Sequence, residues 1–298
     1  MTRPSLPWPH VALALAVVAV WGTNFVVIKV ALEHLPPLTL AALRFACVVL
    51  PAVFVLKRPP ASWRNLAGYG LLIGAGQFGL LFLAMKGHIS PGLASLVVQM
   101  QVFFTIGLSM RLTGEQVRPF QLAALGLAAL GLIVIFSHTG GDVTPLGLAM
   151  VLGAALSWAG GNTVSRAAGP VNAVAYVVWS SIFAVPPLAI LALSVEGWPA
   201  ILAGVRDADA GTWAAVIWQA VGNSLFGYAA WSWLLSRHPA ATITPMALLI
   251  PIFGMGASTL VLGEPLPLWK IAAAGLVMSG LAVNLFWPML RRSMRTAV

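Results

Sequence analysis

Trp21 and Asn24 stand three positions apart, and Trp158 and Asn162 four apart, inside long apolar stretches almost free of charge. Those spacings put each pair on one face of a helix. An indole beside a carboxamide does no covalent chemistry. It recognises: the ring face meets apolar or cationic groups, and the amide serves a donor or an acceptor. Gln219, Asn223 and Gly227 recur at i, i+4 and i+8 and lead on to Trp231, with Tyr228 beside the stripe, where its hydroxyl could donate to a carboxylate. Ser95 and Gln99 share another stripe. Gln101 faces away from it unless the helix is distorted, and Gln99 is the favoured member. Catalytic constellations are missing: there is no H-E-x-x-H, no G-x-S-x-G and no run of His with carboxylates, so an enzyme is not expected. Neither a cofactor nor a metal site is expected, and the single Cys47 supports no disulfide framework.

One motif points elsewhere. "GAGQFG", Gly74 to Gly79, matches the dinucleotide fingerprint G-x-G-x-x-G. That fingerprint needs a strand before it, a helix after it and an acidic residue about 20 positions on, yet the next carboxylate is Glu115. Composition explains the mismatch: 60% of the 298 residues are apolar and 8% are charged, against about 25% charged in soluble domains. Gly68, Gly70, Gly74, Gly76 and Gly79 are therefore read as small residues that let helices approach in lipid, with space left beside Gln77.

The elements that must position these side chains are membrane helices. Apolar blocks fall at about 10–32, 37–56, 66–86, 90–111, 118–137, 144–167, 172–194, 212–236, 239–262 and 267–290, each near the ~20 residues that cross a bilayer. Ten spans are expected. The first is retained, because its apolar run continues to about Leu32, too long for a secretory signal. With the N-terminus inside, Arg3, Lys57, Arg58, Arg64, Arg111, Arg118, Arg166, Arg237, Arg291, Arg292 and Arg295 share the inner side, against Lys29, Lys86, Arg206 and Lys270 outside. Positive residues are retained in the cytoplasm, so both termini are expected there. The charge of +9 is thus a topology signal and not a nucleic-acid surface. Six of seven carboxylates, Glu33, Asp142, Glu196, Asp207, Asp209 and Glu264, fall outside.

An internal repeat organises the spans. "TGEQVRPFQLAALGLAALG" (Thr113 to Gly131) aligns without gaps to "LGEPLPLWKIAAAGLVMSG" (Leu262 to Gly280) with seven identities in 19. Trp21 and Trp158 also precede Lys29 and Arg166 by the same eight positions. Five spans per copy, 1–138 and 139–298, make the second copy enter from the opposite side, so Glu115 is expected inside and Glu264 outside. The fold class that follows is an all-α membrane protein of ten transmembrane helices in two inverted five-helix repeats around a central cavity. Inverted halves can exchange conformations about a site near the midplane, which points to a solute carrier working by alternating access.

At this point a resemblance is evident. "WGTNFVVIKVAL", "LRFACVVLPA", "GLASLVVQMQVFFT", "LSWAGGN" and the two Gly-Glu boundaries resemble the drug/metabolite transporter superfamily, EamA type, from about His10 to Pro288. The resemblance, within that superfamily to bacterial amino-acid and metabolite exporters, implies a bacterial inner membrane, cytoplasmic termini, a cavity lined chiefly by spans 1, 3, 4, 6, 8 and 9, and export of amino acids or related metabolites. The alternative is a drug, nucleobase or sugar-linked metabolite as solute, with proton coupling left open. A ten-span chain can enclose such a cavity as a monomer; the partners expected are a small solute and the lipid bilayer.

Asn24, Asn162, Gln77, Gln99 and Tyr228 are the expected polar contacts, with Asn223 on the same stripe as Gln219, and Trp21, Phe78 and Trp158 are the walls. The competing reading is that each Asn ties its helix to a neighbour. Arg44, inside the second span without a carboxylate to pair, is expected on carbonyls or at the outer interface in preference to binding an anion. Pro91, Gly92, Gly160 and Gly161 are candidate hinges. All five histidines fall in or beside expected loops, and no Asp or Glu falls in a span interior, so facilitated efflux is expected over proton exchange.

Overall fold

The computed structural model describes residues 6–113, 118–238 and 240–296. Arg3 and Glu115, used above for orientation, lie outside the described residues. Helices α1 (Trp8–His34), α2 (Pro37–Val55), α3 (Trp63–Met85), α4 (Pro91–Leu112), α5 (Pro119–Ser137), α6 (Pro145–Ala167) and α7 (Ala173–Glu196) are followed by a short α8 (Trp198–Asp207). Then come α9 (210–237), α10 (Thr244–Leu262) and α11 (Leu268–Thr296). Among the described residues, eight of these segments are long and apolar enough to cross a membrane and no strand forms; a lone antiparallel bridge joins Ile89 to Val143.

The helix starts follow from local chemistry. Prolines open α2, α4, α5 and α6, where the missing N–H is no loss. Ser62, Thr144, Asn172 and Asp209 accept from the backbone N–H three residues on, replacing one of the bonds that a helix start cannot make within itself. At the end of α10, Gly263 takes φ +66°, a conformation that a side chain would strain.

Close packing uses the glycines as small residues. A Cβ at Gly70 would collide with the Ser180 carbonyl, at Gly74 with Ala184, and at Gly76 with Ser157. Those contacts seat α3 against α6 and α7, and Ser157 donates to the Leu72 carbonyl at 2.7 Å. Within this contact α3 widens into a π-helix over Leu71–Gly79, and α9 does the same over Trp218–Phe226. Such irregular turns at membrane depth are tolerated where they are buried in protein or line a cavity. Large apolar side chains such as Phe54, Ile133, Ile190, Leu260 and Leu268 point outward from the bundle, as a lipid-facing surface requires.

α5 pairs with α11 through the two segments that repeat in sequence. A Cβ at Gly131 would meet the Ala273 carbonyl at 3.0 Å and the Val277 nitrogen at 3.2 Å. One at Gly280 would meet the Ala124 carbonyl and, at 3.2 Å, the Ala128 nitrogen. As numbering rises along α5 it falls along α11, so the two helices run antiparallel.

Candidate functional site

A cavity of about 80 Å³ lies where α1, α3, α4, α6, α9 and α10 meet, lined by Trp21, Asn24, Phe25, Ile28, Gln77, Phe78, Leu81, Val98, Gln99, Trp158, Asn223, Tyr228 and Ile250. It adjoins a vestibule of about 600 Å³ that shares Trp21, Gln99, Trp158, Tyr228 and Ile250. The vestibule continues past Asn162, Ser165, Gly169, Trp231, Leu235, Thr244 and Asn284, toward the C-terminal ends of α6, α9 and α11 and the start of α10. Among the described residues, neither lining contains Asp, Glu, His, Lys or Arg.

Local backbone explains which polar groups reach this space. The π turns of α3 and α9 carry Gln77, Phe78 and Asn223 on the cavity wall, and Tyr228 joins them from the regular helical turn that follows in α9. Trp21 Nε1 donates to the Asn223 carbonyl at 3.1 Å, its ring lies 5.8 Å from Tyr228 and 5.3 Å from Trp231, and Gly227 leaves room for the indole. Asn24 Oδ1 and Gln77 Oε1 are buried without a hydrogen-bond partner, which is costly unless a ligand or water completes them.

Eight of the nine candidate contact residues therefore gather around one cavity: Trp21, Asn24, Gln77, Phe78, Gln99, Trp158, Asn223 and Tyr228. Asn162 differs. Its Nδ2 donates to Gln101 Oε1 at 3.0 Å and to Thr105 Oγ1 at 3.3 Å, tying α6 to α4 at the vestibule wall. Gln99 and Gln101 both line the vestibule, because a 3₁₀ turn at Val98–Met100 breaks the α-helical register between them. Gln219, on the same sequence stripe as Asn223, is fully buried and lines neither space.

The hinge candidates lie in packed settings. Pro91 and Gly92 form the first turn of α4, and Gly92 N–H donates to Glu264 Oε2 at 3.0 Å. Gly160 and Gly161 lie within unbroken α6, against Leu72 and Ile73. Arg44 is not at an interface: it is 1% exposed, with Nη2 donating to Ser224 Oγ at 3.0 Å and the guanidinium 3.6 Å from the Phe78 ring centre. Its hydrogen-bond partner is a hydroxyl where carbonyls were expected.

Charge spacing did not reveal a second polar centre, at the end of the bundle opposite the vestibule. Lys270, fully buried, reaches Asp142 Oδ2 at 2.5 Å, Glu264 Oε1 at 2.8 Å and the Pro265 carbonyl at 2.9 Å. Glu264 also accepts from Ser90 Oγ at 2.5 Å, from Gly92 N–H and from Ser258 Oγ. Burial opposes its ionisation, but the hydrogen bonds from Lys270, Ser258, Ser90 and Gly92 outweigh it and hold the carboxyl below its ordinary 4.5. At the same end Glu196 accepts from Leu38 N–H at 2.5 Å, from Thr39 N–H at 3.0 Å and from Thr39 Oγ at 2.7 Å, and Lys86 donates to the Leu32 carbonyl. The only signal in sequence was the recurrence of Gly-Glu in the repeat, which marked Glu264 without its partners.

Membrane-length helices, with charge pairs at one end and a central cavity lined by aromatic and uncharged polar side chains, define a helical integral membrane protein. The EamA-like transporter family's profile matches residues 8–137 and 145–286, and the chain belongs to that family. It is 40% identical over 291 residues to a Salmonella typhimurium protein named "Probable amino-acid metabolite efflux pump", across 96% of this chain and 97% of that one. An Escherichia coli K12 protein of the same name is 39% identical over 281 residues, 92% and 94% of the two chains. A crystal structure 20% identical to the chain superposes with a TM-score of 0.61 over 96% of this chain and 98% of the other, a likeness of fold.

Proposed function

We propose that this protein exports amino acids and related small metabolites across the bacterial inner membrane by alternating access. The observation that carries the reading is the asymmetry of the bundle: an uncharged cavity with unpartnered amide oxygens opens into a wide vestibule at one end, while Glu264, Lys270 and Asp142 close the other. Carboxamides and indoles suit a solute that carries both a donor and an acceptor, and bind it weakly enough to release it. The names of the relatives from Salmonella typhimurium and Escherichia coli agree with this class of solute.

The architecture we infer is ten membrane helices, namely the eight apolar spans with α6 and α9, in two inverted repeats. Two blocks of the chain match the family, divided near residue 138, and the repeated segments on α5 and α11 meet antiparallel through equivalent atoms; both observations support inversion. On the charge count both termini are cytoplasmic. The vestibule then opens inward, and the closed end bearing Glu264 faces out. Among the described residues, the linings carry amides and aromatic rings where a proton-coupled carrier commonly places Asp, Glu or His, which supports facilitated efflux without proton exchange.

Liposomes containing only this protein test the reading. Labelled neutral amino acids should equilibrate across the bilayer faster than in empty vesicles, accelerate when unlabelled amino acid is present on the far side, and respond little to an imposed pH gradient. A rate no higher than that of empty vesicles for every amino acid tried, beside clear movement of nucleobases or lipophilic drugs, would replace the solute class; strong acceleration by a pH gradient would replace the coupling.

A further inference from the structure

Arg44 is a buried cation without a counter-ion. Among the described residues no Asp or Glu lies within ion-pair distance of it. Ser224 takes one donor of the guanidinium, while Nε and Nη1 have no hydrogen-bond partner. Phe78 and Phe45 lie against it, their ring centres 3.6 and 5.2 Å from its central carbon. A guanidinium at membrane depth is expensive unless paired, and aromatic faces offset part of that cost without supplying acceptors for the N–H groups. A carboxylate from a neighbouring helix would complete it, yet the chain places serines and tyrosines around it instead.

The position of this cation matters as much as its isolation. A void of about 10 Å³ touches Arg44 and is walled by Phe78 and Tyr228, which also line the central cavity. Asn24 and Gln77, whose buried amide oxygens have no hydrogen-bond partner, line the cavity side; behind Phe78 the unpartnered atoms are donors of the guanidinium. Acceptors on one side and cationic donors on the other complement a solute that carries an ammonium and a carboxylate.

We propose that Arg44 binds the carboxylate of the carried solute in a subsite behind Phe78, while Asn24 and Gln77 take the ammonium. The proposal rests on the reading of this chain as an amino-acid carrier and names the residue that selects the acid group. The void is too small for a carboxylate as it stands, so the Phe78 ring leaves the guanidinium face as the anion arrives. When the solute departs the ring returns, so the cation has a partner in both states and the anion is not held permanently. Charge-assisted contact by a guanidinium also discriminates a carboxylate from a neutral amide of the same shape.

Full-length protein in nanodiscs tests this with three probes: leucine, leucinamide and benzoate. Wild type should bind leucine about tenfold or more tightly than leucinamide, the size of effect expected of a hydrogen bond to a charged group. Arg44→Met should lose that preference while binding leucinamide as wild type does. Equal affinities in wild type, a preference retained in Arg44→Met, or loss of both ligands together overturns the proposal. If wild type binds neither amino compound, the amino-acid reading fails, and benzoate judges the subsite alone: a thermal shift in wild type that Arg44→Met abolishes sustains it, and equal or absent shifts overturn it. If Arg44→Met does not fold, Phe78→Leu serves, because it uncovers the guanidinium; benzoate should then bind several-fold more tightly than to wild type, and unchanged or weaker binding overturns the proposal.

Discussion

Gly131 and Gly280 occupy equivalent places in the contact between α5 and α11, each pressed against a carbonyl and a backbone nitrogen of the other helix. The four partners, Ala273 and Val277 for one and Ala124 and Ala128 for the other, are themselves equivalent in the sequence repeat. Contacts that map onto each other in this way are what a two-fold relation produces. Gly126 and Gly275, equally matched in sequence, have open space where a side chain would go. Gly131→Val and Gly280→Val should each destabilise the purified protein by about 1–3 kcal/mol through overpacking, while Gly126→Ala and Gly275→Ala leave the melting temperature near wild type. Thermal unfolding in detergent distinguishes the two sets.

The two asparagines should separate by phenotype. Asn24→Ala removes a cavity-lining amide that makes no hydrogen bond through its oxygen in the protein, so transport should drop about tenfold, the worth of one such contact to the solute, with little change in stability. Asn162→Ala cuts the tie to Gln101 and Thr105, costing about 0.6 kcal/mol of stability, as is common for interhelical hydrogen bonds in lipid. Exchange rates and melting curves measured on the same preparations would show a crossed pattern; matching losses in both variants would contradict it.

The closed end should be acid-sensitive. Glu264 has a carboxyl held below its ordinary 4.5, so its stabilisation is fully present above that value and is lost as pH falls through the lower native one. Glu264→Gln should lack this acidic limb and should also melt lower at neutral pH, by roughly 3 kcal/mol or more, because buried Lys270 keeps Asp142 alone as a charged partner. Melting temperature against pH for both proteins is the measurement; parallel curves would show that the carboxylate does not hold this end together.

Labelling from known sides of the membrane checks which end is open. In a Cys47→Ser background, Ser165→Cys in the vestibule should react with a membrane-impermeant thiol reagent applied from the cytoplasmic face, while Ser90→Cys, beside Glu264, should stay protected from either side. Reaction of Ser165→Cys only from the outside would reverse the assigned orientation.

Much of the candidate site's lining was legible because lipid leaves few reasons for a polar or aromatic stripe inside an apolar helix. Trp21 with Asn24, and Asn223 with Tyr228, stood out by type and spacing and do meet at one cavity. Asn162 lines the vestibule and ties to Gln101 and Thr105 in place of lining the smaller cavity, since i, i+4 spacing assigns a face and says nothing of which neighbour that face meets. Gln101 was set aside by the geometry of a regular helix, and the 3₁₀ turn at Val98–Met100 undid that geometry. Arg44 was conspicuous, but its surroundings of Ser224, Phe45 and Phe78 come from three different helices.

The sequence by itself determined an all-helical chain for a bilayer, the family to which it belongs and the repeated segment at Gly131 and Gly280, since hydropathy, composition and repeats are properties of residues in order. Only the tertiary structure decided that α3 and α9 widen at the cavity, that Lys270 is buried between Asp142 and Glu264, and that one end of the bundle is wide while the other is shut. Those features depend on which helices touch and on where buried donors find acceptors, and that pairing is settled across segments more than a hundred residues apart in the chain, as from Asp142 to Lys270.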